Sequence, residues 1–329
     1  MLKLVIALHH RFDLWVAPPW FAERLRRDFP GLDVVDLHGY SGIEQQIPDA
    51  DIAIAWSLRP DQFRLAKRLR WIHSTAAAVH QLMFPELIES KVILTNARDV
   101  HGPVVAEHVI ALIFSLAKRI PQAVVLQQQH NWGQKVMWES YPRPREVTGA
   151  TLGLVGLGAI GRDVAHSASS LGMKVIAARE HPEKQAPPDV VQVFPSSQID
   201  QLLALSDYVV LCAPVTPSTQ GLMNAARVAK MKPDACLINV SRGPLIDEAA
   251  LADALREHRI GGAALDVFTK EPLPPDSPLW DLDNLLITPH TAGLTEKIWE
   301  RQYALYCDNL RRFLAGKPLL GVVDKRKGY

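Results

Sequence analysis

Short apolar runs alternate with amphipathic stretches of helical length along almost the whole 329-residue chain. The apolar runs have the length and residue content of buried strands, and the amphipathic stretches between them predict helices. Strands that alternate with helices build βαβ units, whose parallel sheet is covered by helices on both faces. The chain is therefore predicted to be an α/β protein with doubly wound parallel sheets.

The apolar runs fall into two groups, and each group predicts one sheet. A helix over 102–120 joins the groups, and a long amphipathic helix over 294–315 follows the last strand. If that last helix returns to the first sheet, one domain comprises 1–98 and 291–329 and the other 99–290. The strand candidates are 2–8, 32–37, 51–57, 70–75 and 91–96 in the first group, and 151–157, 173–178, 190–194, 208–214, 235–240, 261–267 and 284–290 in the second.

Composition and charge indicate which kinds of molecule the protein is expected to bind. Lys and Arg total 36 against 35 for Asp and Glu, so the formal net charge is +1. This balance suggests neither nucleic acid nor an acidic membrane surface as partner. No apolar run reaches the roughly 18 residues of a membrane span, the N-terminus lacks a signal-peptide pattern, and three scattered cysteines suit a reducing compartment. We expect a cytoplasmic protein that acts on a small molecule.

The sharpest local signal is the sequence GLGAIG at 156–161, between a predicted strand and a predicted helix. In such a motif Gly156 allows a tight turn, Gly158 lets the backbone approach a pyrophosphate, and Gly161 lets the helix pack close to the strand. Free amides at the helix N-terminus, at Ala159 and Ile160, face the anion. A glycine-rich turn without a ligand is the alternative, but the context favours a dinucleotide site.

The end of the following strand predicts which nicotinamide cofactor is used. An acidic residue there binds the ribose 2′-hydroxyl of NAD, whereas an arginine accommodates the 2′-phosphate of NADP. Arg179 stands at this position and Lys184 follows nearby, so the sequence favours NADP. If Glu180 faces the ribose instead, the cofactor is NAD.

Three charged residues, Arg242, Glu271 and His290, lie at or just beyond the ends of strands in the second group. Ligands bind at that edge of an open α/β sheet. An arginine binds a carboxylate through two hydrogen bonds, a histidine transfers a proton near neutral pH, and a glutamate orients the histidine ring. The three together predict reduction of a carbonyl in a small acid. Taken singly, each has a structural alternative: a surface salt bridge, a turn cap and a loop histidine.

Four stretches together resemble the D-isomer-specific 2-hydroxyacid dehydrogenase family: GLGAIG, NVSRGPLIDEAAL, GAALDVFTKEPLP and NLLITPHTAG. The resemblance extends from about 95 to 315 and is weaker before that. It implies a Rossmann-type dinucleotide domain, a flavodoxin-like substrate domain, a cleft between them and a homodimer. It also implies that Arg242 binds the substrate, that Glu271 pairs with His290, and that His290 is the proton donor in forming a D-2-hydroxy acid.

The resemblance implies further contacts with cofactor and substrate. Members of the family hold the substrate carboxylate on backbone amides of a loop that usually contains a glycine. Ala76, Ala77 and Ala78 match that loop, and Ala78 replaces the glycine, which narrows the backbone conformations available. Asp266 would face the nicotinamide carboxamide. The other implied cofactor positions are Cys212, Pro214 and Thr219 near the adenine, Val240 and Ser241 near the nicotinamide, and Gly293.

Arg179 departs from the aspartate of NAD-using members and brings the chain closer to NADP-preferring glyoxylate/hydroxypyruvate reductases, although NAD remains possible. Two alternatives stay open. One is a nucleotide-sensing interaction protein on the same fold, and the other is a formate or phosphite dehydrogenase, against which Glu271 argues. No motif predicts a metal. The 121–147 stretch is expected to cross to the partner subunit and to bury Trp132 or Trp138 there, while the identity of the 2-oxo acid is not predicted.

Overall fold

The computed structural model describes residues 1–10, 12–326 and 328, which form two compact units. One unit comprises Met1–His101 and Thr295–Tyr329, and the other comprises Gly102–Leu294. The predicted domain limits, at 98 and 290, lie within a few residues of these bounds. Each unit contains one parallel sheet.

Twelve strands and twelve α-helices are formed by the described residues. The strands are β1 (Leu2–Ala7), β2 (Leu32–Asp36), β3 (Ile52–Ala55), β4 (Trp71–Ser74), β5 (Ile93–Asn96), β6 (Thr151–Val155), β7 (Lys174–Arg179), β8 (Val190–Pro195), β9 (Tyr208–Leu211), β10 (Cys236–Asn239), β11 (Gly262–Leu265) and β12 (Leu285–Ile287). The helices are α1 (Pro19–Asp28), α2 (Ile43–Gln46), α3 (Pro60–Leu65), α4 (Pro85–Glu89), α5 (Gly102–Ala117), α6 (Ile120–Gln128), α7 (Gln134–Glu139), α8 (Ala159–Ser170), α9 (Ile199–Leu205), α10 (Ala225–Val228), α11 (Glu248–Arg256) and α12 (Ile298–Leu314).

The first unit contains the five-stranded sheet, in the order β2-β1-β3-β4-β5. All its strand pairs are parallel, and this order is the flavodoxin-like one. Helices α1 and α12 share an apolar core with one face of the sheet, while residues around α2 and α4 share a core with the other face. Tyr306 of α12 stacks on Trp71 of β4, with 5.2 Å between ring centroids. The last helix is therefore part of the first unit's core.

The second unit contains the seven-stranded sheet, in the order β12-β11-β10-β9-β6-β7-β8. Its strands are also parallel, and they extend the Rossmann order by one strand. One face packs against α5 and α8 and the other against α9 and α11. Each predicted strand run overlaps one observed strand, and β7 and β8 each extend one residue beyond their runs. The predicted fold class, two doubly wound parallel sheets of five and seven strands, is confirmed.

The segment after α5 differs from its prediction. The sequence predicted one helix over 102–120 and then a stretch without strong periodicity. Instead, α5 ends at Ala117, Arg119 adopts the left-handed region with φ 55°, and the short helices α6 and α7 follow. Neither α6 nor α7 contains a buried residue. The spacing of apolar residues did not predict α6 and α7, because helical spacing marks a helix only when one of its faces is apolar and buried.

Three further properties of the described residues bear on the expected surroundings of the protein. No single helix among them is long and apolar enough to cross a membrane, and α5 with α6 satisfies that criterion only as a pair bent by 65°. They contain no group of three His, Cys, Asp or Glu side chains placed to hold a metal ion. The three cysteines are free, and burial raises the pKa of Cys212 to about 12 and that of Cys236 to about 11.

Candidate active site

The GLGAIG segment forms the turn between β6 and α8. Gly156 has φ 101°, and a Cβ atom there would lie 2.8 Å from Ala213 N, so a side chain is excluded. A Cβ atom at Gly161 would lie 2.5 Å from the Gly156 carbonyl oxygen. At Gly158, in contrast, a Cβ atom would meet nothing within 4 Å, and α8 begins at the next residue, Ala159. Open space beside the first free amides of a helix fits a pyrophosphate.

Arg179 is the last residue of β7, at the same edge of the sheet. Its guanidinium donates a hydrogen bond to the carbonyl oxygen of Lys184, so the side chain lies along the loop that follows the strand. Among the described residues its Nε atom is buried without a hydrogen-bond partner. Glu180 is exposed. The structure thus brings the Arg179 guanidinium to the backbone of the 180–184 loop, and the contact of Arg179 and Lys184 with a 2′-phosphate stays a prediction.

The residues predicted for the adenine side form a fixed loop after β9. The Thr219 hydroxyl donates to the Pro214 carbonyl at 2.7 Å and accepts from the Thr216 amide at 2.7 Å. Cys212 and Ala213 begin this loop directly after the strand. β9 lies beside β6, where the strand order reverses, and a dinucleotide binds across that point in folds of this kind.

Asn239 shapes the turn that carries Arg242. It is fully buried at the end of β10, accepts from the Ser241 amide at 3.1 Å and donates from Nδ2 to the Arg242 carbonyl at 2.9 Å. Gly243 follows, and a Cβ atom there would lie 1.9 Å from the carbonyl carbon of Phe268. Only glycine therefore allows the turn after β10 to approach the segment after β11. Sequence reasoning selected Arg242 but missed both residues that position it.

The loops after β9 and β10 are joined through Ser241, one of the residues predicted for the nicotinamide pocket. Its hydroxyl donates to the Ala213 carbonyl at 2.6 Å. Val240, the other predicted residue, is buried between β10 and this turn. The predicted adenine and nicotinamide positions therefore form one hydrogen-bonded edge of the second unit.

His290 and Glu271 form the shortest ion pair of this edge, with 2.6 Å between Nδ1 and Glu271 Oε2. The other carboxylate oxygen accepts from the Phe268 amide at 2.9 Å, so the carboxylate is anchored to backbone. Because a carboxylate accepts hydrogen bonds, Nδ1 of the ring donates, and Nε2 is the nitrogen left to exchange a proton. The His290 side chain is 51% exposed, and its φ of 55° is a conformation that non-glycine residues adopt mainly at special sites.

Arg242 interacts electrostatically with Glu271, the carboxylate of this pair. Desolvation by the surrounding protein lowers the pKa of the Arg242 guanidinium, and the negative charge of Glu271 opposes that shift. Arg242 is nevertheless an exposed residue, and within the described part of the chain its Nη1 group donates only to the neighbouring Ser241 carbonyl, at 2.6 Å. A desolvated cation with unused donors, next to a histidine–carboxylate pair, is suited to bind a carboxylate and to stabilise negative charge on oxygen.

Asp266 has a structural task that the sequence did not reveal. Its carboxylate is buried and accepts from the Thr288 hydroxyl at 2.6 Å, from the Thr291 amide at 2.8 Å and from the Ala292 amide at 3.0 Å. Its carbonyl also accepts from the His290 amide, at 2.9 Å. Asp266 therefore fixes the turn that carries His290. Its predicted contact with the nicotinamide carboxamide stays a prediction, for which Oδ2 retains one lone pair.

His108 of α5 is a second histidine next to this turn, and it was not among the residues selected from the sequence. Its Nε2 lies 3.2 Å from the Thr288 hydroxyl and 3.7 Å from Asp266 Oδ1. Burial lowers the pKa of His108, and the Asp266 charge opposes that shift. The available signal was its position one helical turn after Val104 and before Leu112, both of which are buried. His108 thus helps to hold the 288–292 turn in place, through its contact with Thr288.

The predicted substrate loop, Ala76, Ala77 and Ala78, lies in the first unit after β4. The sequence suggested that Ala78, in place of a glycine, narrows the conformations of the loop. None of the three alanines adopts a positive φ, so the loop carries no strain from the missing glycine. Gly293 and the other predicted cofactor residues, together with Arg242, Glu271 and His290, all lie in the second unit.

Comparison with known sequences gives matches over most of the chain. A sequence profile of the D-isomer specific 2-hydroxyacid dehydrogenase NAD binding domain matches residues 110–292. A glyoxylate reductase from Thermofilum pendens is 36% identical over 264 residues, which cover 79% of this chain and 76% of that protein. A D-3-phosphoglycerate dehydrogenase from Methanocaldococcus jannaschii is 32% identical over 85% of this chain, which spans only 53% of that longer protein.

Solved structures match the whole described fold. A D-isomer specific 2-hydroxyacid dehydrogenase from Xanthobacter autotrophicus, in complex with NADPH and MES, is 32% identical with a TM-score of 0.83 and covers 99% of both chains. An NADPH-dependent glyoxylate/hydroxypyruvate reductase from Sinorhizobium meliloti, in complex with NADP and sulfate, is 28% identical with a TM-score of 0.81 and covers 100% of both.

Proposed function

Because the chain belongs to the D-isomer-specific 2-hydroxyacid dehydrogenase family, we propose that it is an NADPH-preferring reductase of small 2-oxo acids such as glyoxylate and hydroxypyruvate. The observation that carries this proposal is the 2.6 Å contact between His290 Nδ1 and Glu271 Oε2, beside the desolvated guanidinium of Arg242. A proton donor and a carboxylate binder at the edge of a dinucleotide fold are the two groups that this reduction requires.

Arg242 binds the carboxylate of the substrate and stabilises negative charge that develops on the carbonyl oxygen. The first unit supplies the amides of Ala77 and Ala78 to bind the carboxylate, whereas the amide of Ala76, the third predicted residue, donates to the Ser74 hydroxyl at 3.3 Å. When bound, the cofactor supplies a hydride to the carbonyl carbon. His290 donates the proton from Nε2 to the carbonyl oxygen, so the C=O bond becomes an alcohol and the ring is left neutral. Glu271 holds the ring through Nδ1 and stabilises its protonated form before the transfer.

An activity assay with a panel of 2-oxo acids tests this function. Glyoxylate, hydroxypyruvate, pyruvate and phenylpyruvate are each supplied with NADPH or NADH, and cofactor oxidation is followed at its absorbance maximum. The proposal expects turnover of at least one small 2-oxo acid, and chiral chromatography of any chiral product should give the D-2-hydroxy acid. Absence of turnover across the panel with both cofactors, in protein that binds NADPH, would overturn it.

Cofactor preference gives a separate prediction, centred on Arg179. If the Arg179 guanidinium binds the 2′-phosphate, kcat/KM is about 10- to 100-fold higher with NADPH than with NADH, since a charged hydrogen bond is worth roughly 1.5–3 kcal/mol. Arg179→Asp should reverse this preference, because the carboxylate repels the phosphate and accepts from the ribose diol. The preference of the wild type should also weaken as salt rises.

Lys174→Asp is the matched control for Arg179→Asp, because Lys174 is the exposed first residue of the same strand and the charge change is identical. It should leave the preference for NADPH almost unchanged. A wild type that uses NADH equally well or better would show that Arg179 does not bind the phosphate and that Glu180 binds the ribose.

The proposed functional form is a homodimer held by the 121–147 stretch. This proposal rests on the family resemblance and on large apolar side chains left exposed there, with Trp132 91% exposed and Trp138 57% exposed in the single chain. Exposed aromatic residues of this size are typical of protein–protein interfaces. Sedimentation at micromolar concentration should therefore give twice the 36.5 kDa mass of the chain.

Two variants test whether the 121–147 stretch forms the proposed dimer interface. Trp132→Glu combined with Trp138→Glu should shift the protein to monomer, because charge is costly in an interface core. Val191→Ser, which alters an exposed apolar residue of β8 outside the stretch, should remain dimeric. A monomeric wild type would contradict the proposal.

A further inference from the structure

We propose that Gln302 and Asn96 are positioning residues for the 76–78 loop: from inside the first unit Gln302 binds the carbonyl of Thr75, directly before the loop, and Asn96 binds the carbonyl of Ala77, and together they direct the loop amides outward toward an anion. The substrate-binding part of this inference rests on the proposed function, in which those amides hold the carboxylate of a 2-oxo acid. The geometric part does not, because it concerns only contacts within the first unit.

Three consecutive carbonyl groups, at the start of the loop and directly before it, are held by the body of the unit. Gln302 Nε2 donates to the Thr75 carbonyl at 2.7 Å. The Ala97 amide donates to the Ala76 carbonyl at 3.2 Å, and Asn96 Nδ2 donates to the Ala77 carbonyl at 2.7 Å. Two of these three donors are side chains, and both residues are at most 2% exposed. The loop therefore presents one edge of its backbone to the interior.

The direction of the amide groups on the opposite edge of the loop follows from the geometry of the peptide bond. In a planar trans peptide the C=O and N–H groups point in opposite directions, and the peptides of this loop are trans. With the carbonyls of Ala76 and Ala77 directed inward, the amides of Ala77 and Ala78 are directed away from the interior. Within the described residues neither amide has a hydrogen-bond acceptor. Successive outward amides of this kind form a site for an anion.

A buried polar chain of β4 and β5 lies near Gln302. Trp71 Nε1 donates to the Thr95 hydroxyl at 2.8 Å, and that hydroxyl lies 2.9 Å from Nδ1 of His73. Burial lowers the pKa of His73 to about 4, an effect that the nearby Gln302 amide partly opposes.

His73 thus stays neutral near pH 7, and among the described residues neither its Nε2 atom nor Gln302 Oε1 has a hydrogen-bond partner. The Gln302 amide is fixed by its Nε2 group, which donates to the Thr75 carbonyl. Gln302 stands 227 residues after Thr75 in sequence. The last helix therefore contributes to the loop although it lies far from it along the chain.

Two variants test the proposal, and a third is the control. Gln302→Met keeps the length of the side chain but loses the donor to Thr75, and Asn96→Asp keeps its shape but loses the donor to Ala77. The control is Gln62→Met, the same substitution at another buried glutamine of the first unit, which binds Glu44 and the Arg59 amide instead of the loop. A general loss of packing or of a buried amide would affect Gln302→Met and Gln62→Met alike.

The first readout is kinetic. In both loop variants KM for the 2-oxo acid should rise about tenfold, while kcat stays within about threefold of the wild type. The dissociation constant for NADPH should not change, and Gln62→Met should match the wild type in all three quantities. An unchanged KM in an active, folded Gln302→Met protein overturns the proposal. If that variant does not fold, Asn96→Asp decides the question by the same criterion.

The second readout is independent of activity. Hydrogen exchange at the Ala97 amide, which donates to the Ala76 carbonyl, should be faster in Gln302→Met than in the wild type and unchanged in Gln62→Met. Faster exchange in a protein that turns over no 2-oxo acid would support the geometric part and overturn the proposed function. Unchanged exchange, with wild-type turnover intact, would overturn the positioning role and leave the proposed function standing.

Discussion

Replacing His290 with asparagine should lower turnover of the 2-oxo acid by about 10²- to 10⁴-fold, the usual contribution of a general acid. Asparagine tolerates the left-handed backbone that His290 adopts, at φ 55°, so the turn need not rearrange. Cofactor affinity, measured by titration of NADPH fluorescence, should change little, because the proposed pyrophosphate contacts lie at 156–161 and not at His290. The effect is therefore expected in kcat and not in binding.

His258→Asn is the matched control for this prediction. His258 lies in the same unit, also adopts a left-handed backbone, with φ 51°, and has its Nδ1 atom 3.4 Å from the side chain of Asn284, away from the Glu271 pair. Its replacement should leave turnover near the wild-type value. Near-normal turnover in His290→Asn would show that another group supplies the proton.

Arg242→Ala should raise KM for the 2-oxo acid by about a hundredfold and also lower kcat, since in the proposed mechanism the guanidinium contacts both the bound substrate and the developing oxyanion. Arg242→Lys should recover little of either loss. A lysine ammonium is a point charge and cannot reproduce the two parallel hydrogen bonds of a guanidinium. Steady-state kinetics over a range of 2-oxo acid concentrations separates the two effects.

Arg256→Ala provides the comparison, because Arg256 is an exposed arginine of α11 whose partner is Asp253, 2.7 Å away on the same helix. Surface pairs of this kind contribute little, so kinetics close to wild type are expected. Wild-type KM in Arg242→Lys would mean that Arg242 does not bind the carboxylate in the two-pronged manner proposed.

The sheets were predictable because their central strands are buried on both faces. Runs such as that of β9, whose four residues are all buried, read as continuous apolar segments in the sequence. α6 and α7 were not predictable in this way, since their apolar side chains remain exposed and leave no buried stripe. Helices that pack against no other part of their own chain lack the helical spacing of buried apolar residues by which a helix is predicted.

The residues of the candidate site also include some that the sequence predicted and others that it did not. Arg242, Glu271 and His290 were selected because each charged residue lies at or just beyond the end of a strand, and parallel strands end at one edge. The residues that hold them were missed: Asp266 acts through hydrogen bonds to a turn over twenty residues later, and Gly243 through a backbone approach to Phe268. Such contacts depend on the packed three-dimensional arrangement, and no local pattern encodes them.

Transfer of isotope from cofactor to substrate tests the central claim most directly. The enzyme is supplied with glyoxylate or hydroxypyruvate and with NADPH carrying deuterium at the transferable position of nicotinamide C4, and the product is analysed by mass spectrometry. The account predicts a 2-hydroxy acid with one deuterium on C2, formed by the wild type and nearly abolished in His290→Asn. Unlabelled 2-hydroxy acid, or no product from a protein that binds NADPH, would contradict it.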